Sequence, residues 1–325
     1  MKTCIYGAGA IGGWLGVRLA QAGCDLSVVA RGATLAALQH DGLRLDMEGS
    51  VSTVHPRVSA SPAELGVQDL VIVAVKAPAL AQVAQAIGPL LGPETVVLTA
   101  MNGVPWWFLE GFGGDYAGRR LASVDPGGGI GAAIPAQHVV GGVVHASCAL
   151  HGPGFVQHHF GKKMILGEPA GGEPSARVQR IAALMEQGGV ETVLSPQIQK
   201  DVWYKLWGNM TMNPVSAFTG ATSDRVLADP LVRRFISDVM LEAREVGNRL
   251  GIPITEAPDD RHKITARLGA FKTSMLPDVE AGRPVELDAL VGAVRELGEI
   301  TGVPTPQTDT LFGLARLHAQ MHGLY

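Results

Sequence analysis

The stretch Lys2–Arg31, KTCIYGAGAIGGWLGVRLAQAGCDLSVVAR, constrains the fold more than any other part of the chain. Its opening residues, Thr3–Tyr6, read as a short buried strand. Gly7, Ala8, Gly9, Ala10, Ile11 and Gly12 form a glycine-rich turn, and Ile11, Leu15 and Leu19 then recur at i, i+4, i+8, the period of a helix. Gly23 is a stop signal, and Leu26–Ala30 reads as a second strand. A GxGxxG acquires meaning in this strand, turn, helix, strand setting. Gly7 permits the tight turn, Gly9 lets backbone approach a pyrophosphate, and Gly12 lets the helix pack closely on the sheet. The helix N-terminus offers phosphate its unpaired N–H groups and positive potential.

The tip of the second strand bears on which dinucleotide is bound. An NAD site places Asp or Glu there to accept from the ribose 2′-OH. Here the position holds Arg31, and Asp25 lies at the other end of the strand. A guanidinium can donate a bidentate pair to a 2′-phosphate, whereas a carboxylate repels it. The expected cofactor is NADP(H).

At 325 residues and 46% apolar content the chain suits two domains. A net charge of −4 with dispersed Lys and Arg argues against a nucleic-acid partner. Short, broken apolar runs argue against a membrane span, and Met1 leads straight into the first strand with no leader. Cys4, Cys24 and Cys148 fit reduced thiols in a cytoplasmic protein.

Further strands are expected within Gly42–Val58, at Asp69–Val75 and at Thr95–Ala100, with a helix over Pro78–Leu91 between the last two. Antiparallel strands are expected around His151–Gly154, then a helix over Ser175–Gly188 and a strand at Val190–Leu194. The fold class is therefore α/β: a Rossmann-type doubly wound sheet domain over residues 1–196, followed by an all-helical domain over 197–325. Long helices are expected at Gln197–Ala217, Pro230–Leu250, Glu286–Thr301 and Gln307–His322.

Lys76 and Asn102 each follow a strand end, on the rim where a doubly wound sheet binds its ligand. Both are candidate cofactor neighbours. In DVWYKLWGNMTMNP, residues 201–214, Lys205, Asn209 and Asn213 recur at i, i+4, i+8 along one stripe of a helix. Their neighbours Trp203, Leu206, Trp207, Met210 and Met212 are apolar. A lysine in such surroundings loses basicity and becomes a proton donor usable near neutrality. The histidines at 145, 151, 158 and 159 lack a completing carboxylate spacing, so no metal is expected.

GAGAIGG, the ARG at Ala30–Gly32, Lys76, Asn102-Gly103, KLWGNMTMNP at Lys205–Pro214, SML at Ser274–Leu276 and GRPVELD at Gly282–Asp288 together resemble the 2-dehydropantoate 2-reductase (ketopantoate reductase) family over nearly the whole chain. The resemblance implies NADPH-dependent reduction of a 2-oxo acid, most simply 2-dehydropantoate to pantoate in pantothenate and coenzyme A synthesis. It implies Lys205 as general acid and Asn102, Asn209, Asn213, Ser274 and Glu286 as substrate-binding residues. It also places Arg31 at the 2′-phosphate and Lys76 and Asn102 beside nicotinamide and substrate. The expected partner is a small oxo acid, and a homodimer is allowed. Alternatives are a reductase for another 2-oxo acid, an opine-forming dehydrogenase and a non-catalytic NADPH sensor. Trp106, Trp107 and Arg119–Ala133 depart from the family pattern near the expected cleft.

Overall fold

The computed structural model describes all residues, Met1–Tyr325. Contacts divide it into two units: Met1–Met101 with Gly128–Ile198, and Asn102–Gly127 with Gln199–Tyr325.

The first unit is built on one mixed ten-stranded sheet. Its strands are β1 (Lys2–Tyr6), β2 (Asp25–Val29), β3 (Leu43–Met47), β4 (Ser50–Val54), β5 (Arg57–Ser59), β6 (Leu70–Val73), β7 (Val96–Thr99), β8 (Val139–Gly152), β9 (Phe155–Gly167) and β10 (Glu191–Leu194). The order β5-β2-β1-β6-β7-β8 is parallel throughout, and β9 returns antiparallel to β8. The helices of this unit are α1 (Ala10–Gln21), α2 (Gly32–Asp41), α3 (Pro62–Leu65), α4 (Leu80–Ala86), α5 (Gly129–Ala133) and α6 (Ala176–Gln187). The apolar side of α1 supplies Trp14, Leu15, Val17 and Leu19 to a core shared with Ile5, Val28, Ile72, Leu98 and Met164. Burial on both faces explains why β6 (LVIV) and β7 (VVLT) read as continuous apolar runs rather than alternating ones.

Strand order reverses at β1: β2 and β5 lie on one side of it, β6 and β7 on the other. Ligands of open α/β sheets bind outside the carboxyl ends of strands at such a switch point. Gly7 ends β1 there with φ +101°, a conformation L side chains rarely adopt.

The second unit holds α7 (Ile198–Thr219), α8 (Ser223–Ala228), α9 (Pro230–Leu250), α10 (Pro258–Ala266), α11 (Leu276–Glu280), α12 (Ala293–Thr301) and α13 (Pro306–Met321). A π-helical turn, Asp288–Gly292, leads into α12. Trp203, Trp207 and Met210 of α7 are buried in this unit, as are Ile236, Val239 and Met240 of α9 and Leu297 of α12. Trp207 donates its indole N–H to the carbonyl of Met240 at 2.6 Å, so the ring's one polar atom is satisfied. The carboxylate of Glu242 on α9 accepts from the N–H groups of Gln307 and Thr308 at 2.8 Å each, capping α13. No helix of the protein is long and apolar enough to cross a membrane.

Asn102–Gly127, placed by sequence in the sheet domain, clusters with the helices. Glu296 of α12 receives the N–H groups of Ala122 and Ser123 at 2.7 and 2.8 Å, and Gln199 of α7 donates to the carbonyl of Phe108 at 3.3 Å. These long-range bonds outweigh proximity in sequence to β7. Trp106 and Trp107 are buried, with Phe108 packed 5.9 Å from Trp203 between ring centroids.

Candidate active site

In the first unit, α1 begins at Gly9 with no side-chain cap and no acid in its first turn. Its leading N–H groups therefore face outward unneutralised. A methyl group on Gly9 would meet nothing within 4 Å, so open space lies over this helix start. A methyl group on Gly12, by contrast, would overlap the carbonyl oxygen of Gly7. The loop after β6 closes on the same turn, since a side chain on Gly7 would lie 2.7 Å from Val75. Arg31 follows β2 as the N-cap residue of α2, and its guanidinium donates to Gln82 on α4 at 3.1 Å. Tyr6, the Cys4 thiol and Arg31 are close enough for the last two to act on the charge of the first. Lys76 precedes a short 3-10 turn, Ala77–Ala79, as its N-cap residue and is exposed. Anion-ready N–H groups with open space above them fit the pyrophosphate of a dinucleotide.

The second unit brings together residues far apart in sequence. Lys205, Asn209 and Asn213 all fall on α7, as expected. Lys205 donates from Nζ to Oδ1 of Asn102 at 2.8 Å, across 103 residues. Asn102 is held there by its successor: Gly103 has φ +84°, and a side chain on it would run into the backbone of Ala289. Val104 donates its N–H to the carbonyl of that same Ala289 at 2.8 Å. Ala289 lies in the π-helical turn three residues after Glu286, so one close approach fixes Asn102 and the acid's element together. Asn213 donates from Nδ2 to Oγ of Ser274 at 3.2 Å, tying α7 to the segment before α11.

Glu286 is 5% exposed and acts electrostatically on Lys205. Burial of the Lys205 amine pushes its pKa down to about 8, against the upward pull of the Glu286 carboxylate. The lysine's stem keeps partial exposure, but the charged end is the part deprived of water. Such a group is protonated at neutral pH yet gives up its proton far more readily than a surface lysine. Arg261 of α10 also reaches α7, where a methyl on Gly208 would lie 2.8 Å from its guanidinium. Sequence reasoning did not single it out. A glycine inside a helix was the available signal, because it marks a place where something packs against the backbone.

The model for ketopantoate reductase PanE/ApbA matches residues 3–106, and that for its C-terminal part matches residues 197–319. The chain is 46% identical over 326 residues to a 2-dehydropantoate 2-reductase from Mesorhizobium japonicum, covering 100% of both. The chain belongs to the ketopantoate reductase family. A solved structure from Ralstonia solanacearum MolK2 superposes with TM-score 0.95 at 56% identity, covering 100% of this chain and 99% of that one. A ketopantoate reductase of the PanE/ApbA family from Ralstonia eutropha JMP134 gives TM-score 0.85 at 26% identity over 99% and 100% of the two chains. Membership makes the chain an oxidoreductase of a family that uses a nicotinamide dinucleotide.

Proposed function

We propose that this chain reduces 2-dehydropantoate to pantoate with NADPH, Lys205 serving as general acid. The observation that carries the reading is the desolvated Lys205 amine, oriented by Asn102 and accompanied by buried Glu286. When bound, the reduced nicotinamide supplies the hydride that ends on the carbonyl carbon of the oxo acid. As the carbonyl π pair moves onto oxygen, the Lys205 ammonium faces a growing negative charge, so it stabilises the transition state more than the ground state. The ammonium then passes its proton to the alkoxide, leaving a 2-hydroxy acid and a neutral amine that regains a proton from solvent. Asn102 fixes the direction of the amine. Asn209 and Asn213 orient the substrate along the same helix stripe, with Ser274 donating to its carboxylate. Glu286 accepts from a substrate hydroxyl, which 2-dehydropantoate provides.

Gly7–Gly12 would hold the pyrophosphate, with Lys76 beside the nicotinamide side and Arg31 at the 2′-phosphate. Arg31→Ala should raise KM for NADPH by roughly 10–100-fold, the scale set by charge-assisted hydrogen bonds, and leave KM for NADH nearly unchanged. Equal changes for both cofactors would remove Arg31 from that role.

The central test compares kcat/KM for 2-dehydropantoate with that for a panel of other 2-oxo acids, with and without amino acids. A marked preference for 2-dehydropantoate is expected. Faster turnover of another oxo acid, or formation of a secondary amine, would replace the substrate assignment.

The pH profile has a definite sign. Lys205 must carry its proton to act, and its pKa is about 8, so kcat/KM for reduction should fall as pH rises through that value. Glu286→Gln removes the charge that raises the Lys205 pKa, so the alkaline limb should move to lower pH. A limb left in place by that substitution would disconnect it from Lys205.

A further inference from the structure

Glu286 stands in an irregular stretch: residues 283–286 belong to no helix or strand, and the π-helical turn begins only at Asp288. Backbone without a ladder of its own is placed by the groups that pair with it at either side. On each side of Glu286 one residue is tied to the segment that follows α13. Val285 donates its N–H to the carbonyl of Leu324 at 3.1 Å. The Tyr325 hydroxyl donates to Oδ1 of Asp288 at 2.7 Å.

A helix stop brings these two partners into place. Gly323 has φ +68°, and the N–H groups of Gly323 and Leu324 donate to the carbonyls of Gln320 at 3.1 Å and Ala319 at 2.8 Å. This is the Schellman arrangement, in which a left-handed glycine turns the chain back and the apolar residue after it packs on the last helical turn. Leu324 and Ala319 are both buried, as that packing requires. Burial and the Asp288 carboxylate hold the Tyr325 phenol up at about 12 against the pull of Arg316, so it remains a donor at any working pH.

The position of Glu286 matters twice. Its buried carboxylate raises the Lys205 pKa, and in the assigned reaction it accepts from a substrate hydroxyl. The first effect weakens with distance, and the second is lost once donor and acceptor separate.

We propose that Leu324 and Tyr325 form a clamp that positions Glu286 against Lys205 and the substrate hydroxyl, an inference that rests on the role assigned to Glu286 above. Tyr325 is a positioning residue: its contact is with Asp288, and it acts through the backbone that carries Glu286.

The test follows the Lys205 amine itself, by NMR titration of the full chain labelled with carbon-13 at the lysine ε-carbons. Tyr325→Phe keeps the ring and loses only the hydroxyl. It should lower the Lys205 pKa in the same direction as Glu286→Gln, and by less. It should also raise KM for 2-dehydropantoate by about 2–10-fold, the scale of one hydrogen bond, and leave KM for NADPH unchanged. In a Glu286→Gln background the same substitution should move neither the pKa nor KM. Gly323→Ala strains the left-handed turn without meeting another atom and leaves the hydroxyl in place, so it should act in the same direction as Tyr325→Phe. An unchanged Lys205 pKa in both variants overturns the proposal. So does an effect of equal size with and without the Glu286 carboxylate, since general loosening of the fold would produce it. A wild-type chain that does not reduce 2-dehydropantoate, but whose Lys205 pKa falls in Tyr325→Phe only while Glu286 is present, loses the assigned reaction and keeps the clamp.

Discussion

Lys205→Ala is expected to lower kcat for reduction by about 10²–10⁴, or roughly 3–5 kcal/mol of barrier, while cofactor affinity and the circular dichroism spectrum stay close to wild type. The size follows from what the amine does. It neutralises charge that develops only as hydride arrives, so its removal raises the transition state far more than it weakens substrate binding. The fold should tolerate the change, since α7 is held by Trp203, Trp207 and Met210 on its buried side rather than by the lysine. Alanine is also a good helix former. Single-turnover measurement with saturating NADPH reads the chemical step directly. Near-normal turnover would mean that another group, or water, protonates the alkoxide.

The second large effect is expected in the glycine-rich turn, where two neighbouring glycines should fail in opposite ways. Gly12→Ala places a methyl on the carbonyl oxygen of Gly7, with Ile5 and Ala74 also at 3.0 and 3.1 Å. Backbone cannot swing aside as a flexible side chain can. Overpacking of this kind costs about 1–3 kcal/mol or more, so Tm should drop and cofactor binding should disappear with the local geometry. Gly9→Ala meets no protein atom within 4 Å, and Gly9 has φ −76°, which alanine adopts freely. Its Tm should hold. Its methyl, however, occupies the space over the α1 N-terminus and keeps a phosphate from the N–H groups there. Dinucleotide affinity should fall by roughly 10–100-fold, the scale of one hydrogen bond to a charged group. Thermal unfolding and cofactor titration of the pair separate the two mechanisms. A Gly9→Ala protein that binds cofactor normally would place the pyrophosphate elsewhere.

Much of the fold is legible in the sequence because its signals are local. The β1–α1–β2 unit, the apolar runs of β6 and β7, and the bounds of α9 at Pro230–Leu250 follow from period, glycine and proline alone. So does the stripe of Lys205, Asn209 and Asn213, since i, i+4, i+8 on a helix needs no tertiary information. Less visible are α8 and α10, which are short and largely polar and so lack an apolar period to announce them. The Gly-rich end of Arg119–Ala133, which departs from the family pattern, forms the short helix α5 of the first unit.

What sequence could not supply is pairing across distance. Nothing near Asn102 says that its carboxamide meets an amine 103 residues later, because that meeting depends on Gly103 lying against Ala289. Glu286 in isolation reads as an ordinary acid at a helix start, and only packing reveals that it is buried.

The excursion of Asn102–Gly127 has a consequence for how this protein can be taken apart. The main chain passes from one unit to the other after Met101, after Gly127 and after Ile198. A fragment starting at Gln199 would carry Lys205 but lack the carboxamide that aims it and the Trp107–Phe108 segment packed beside α7. The helical portion is therefore no cassette to be exchanged at one joint. A chimera that grafts it onto a different nucleotide binder must splice three junctions, and a split at Ile198 alone should yield two pieces that regain activity only when recombined.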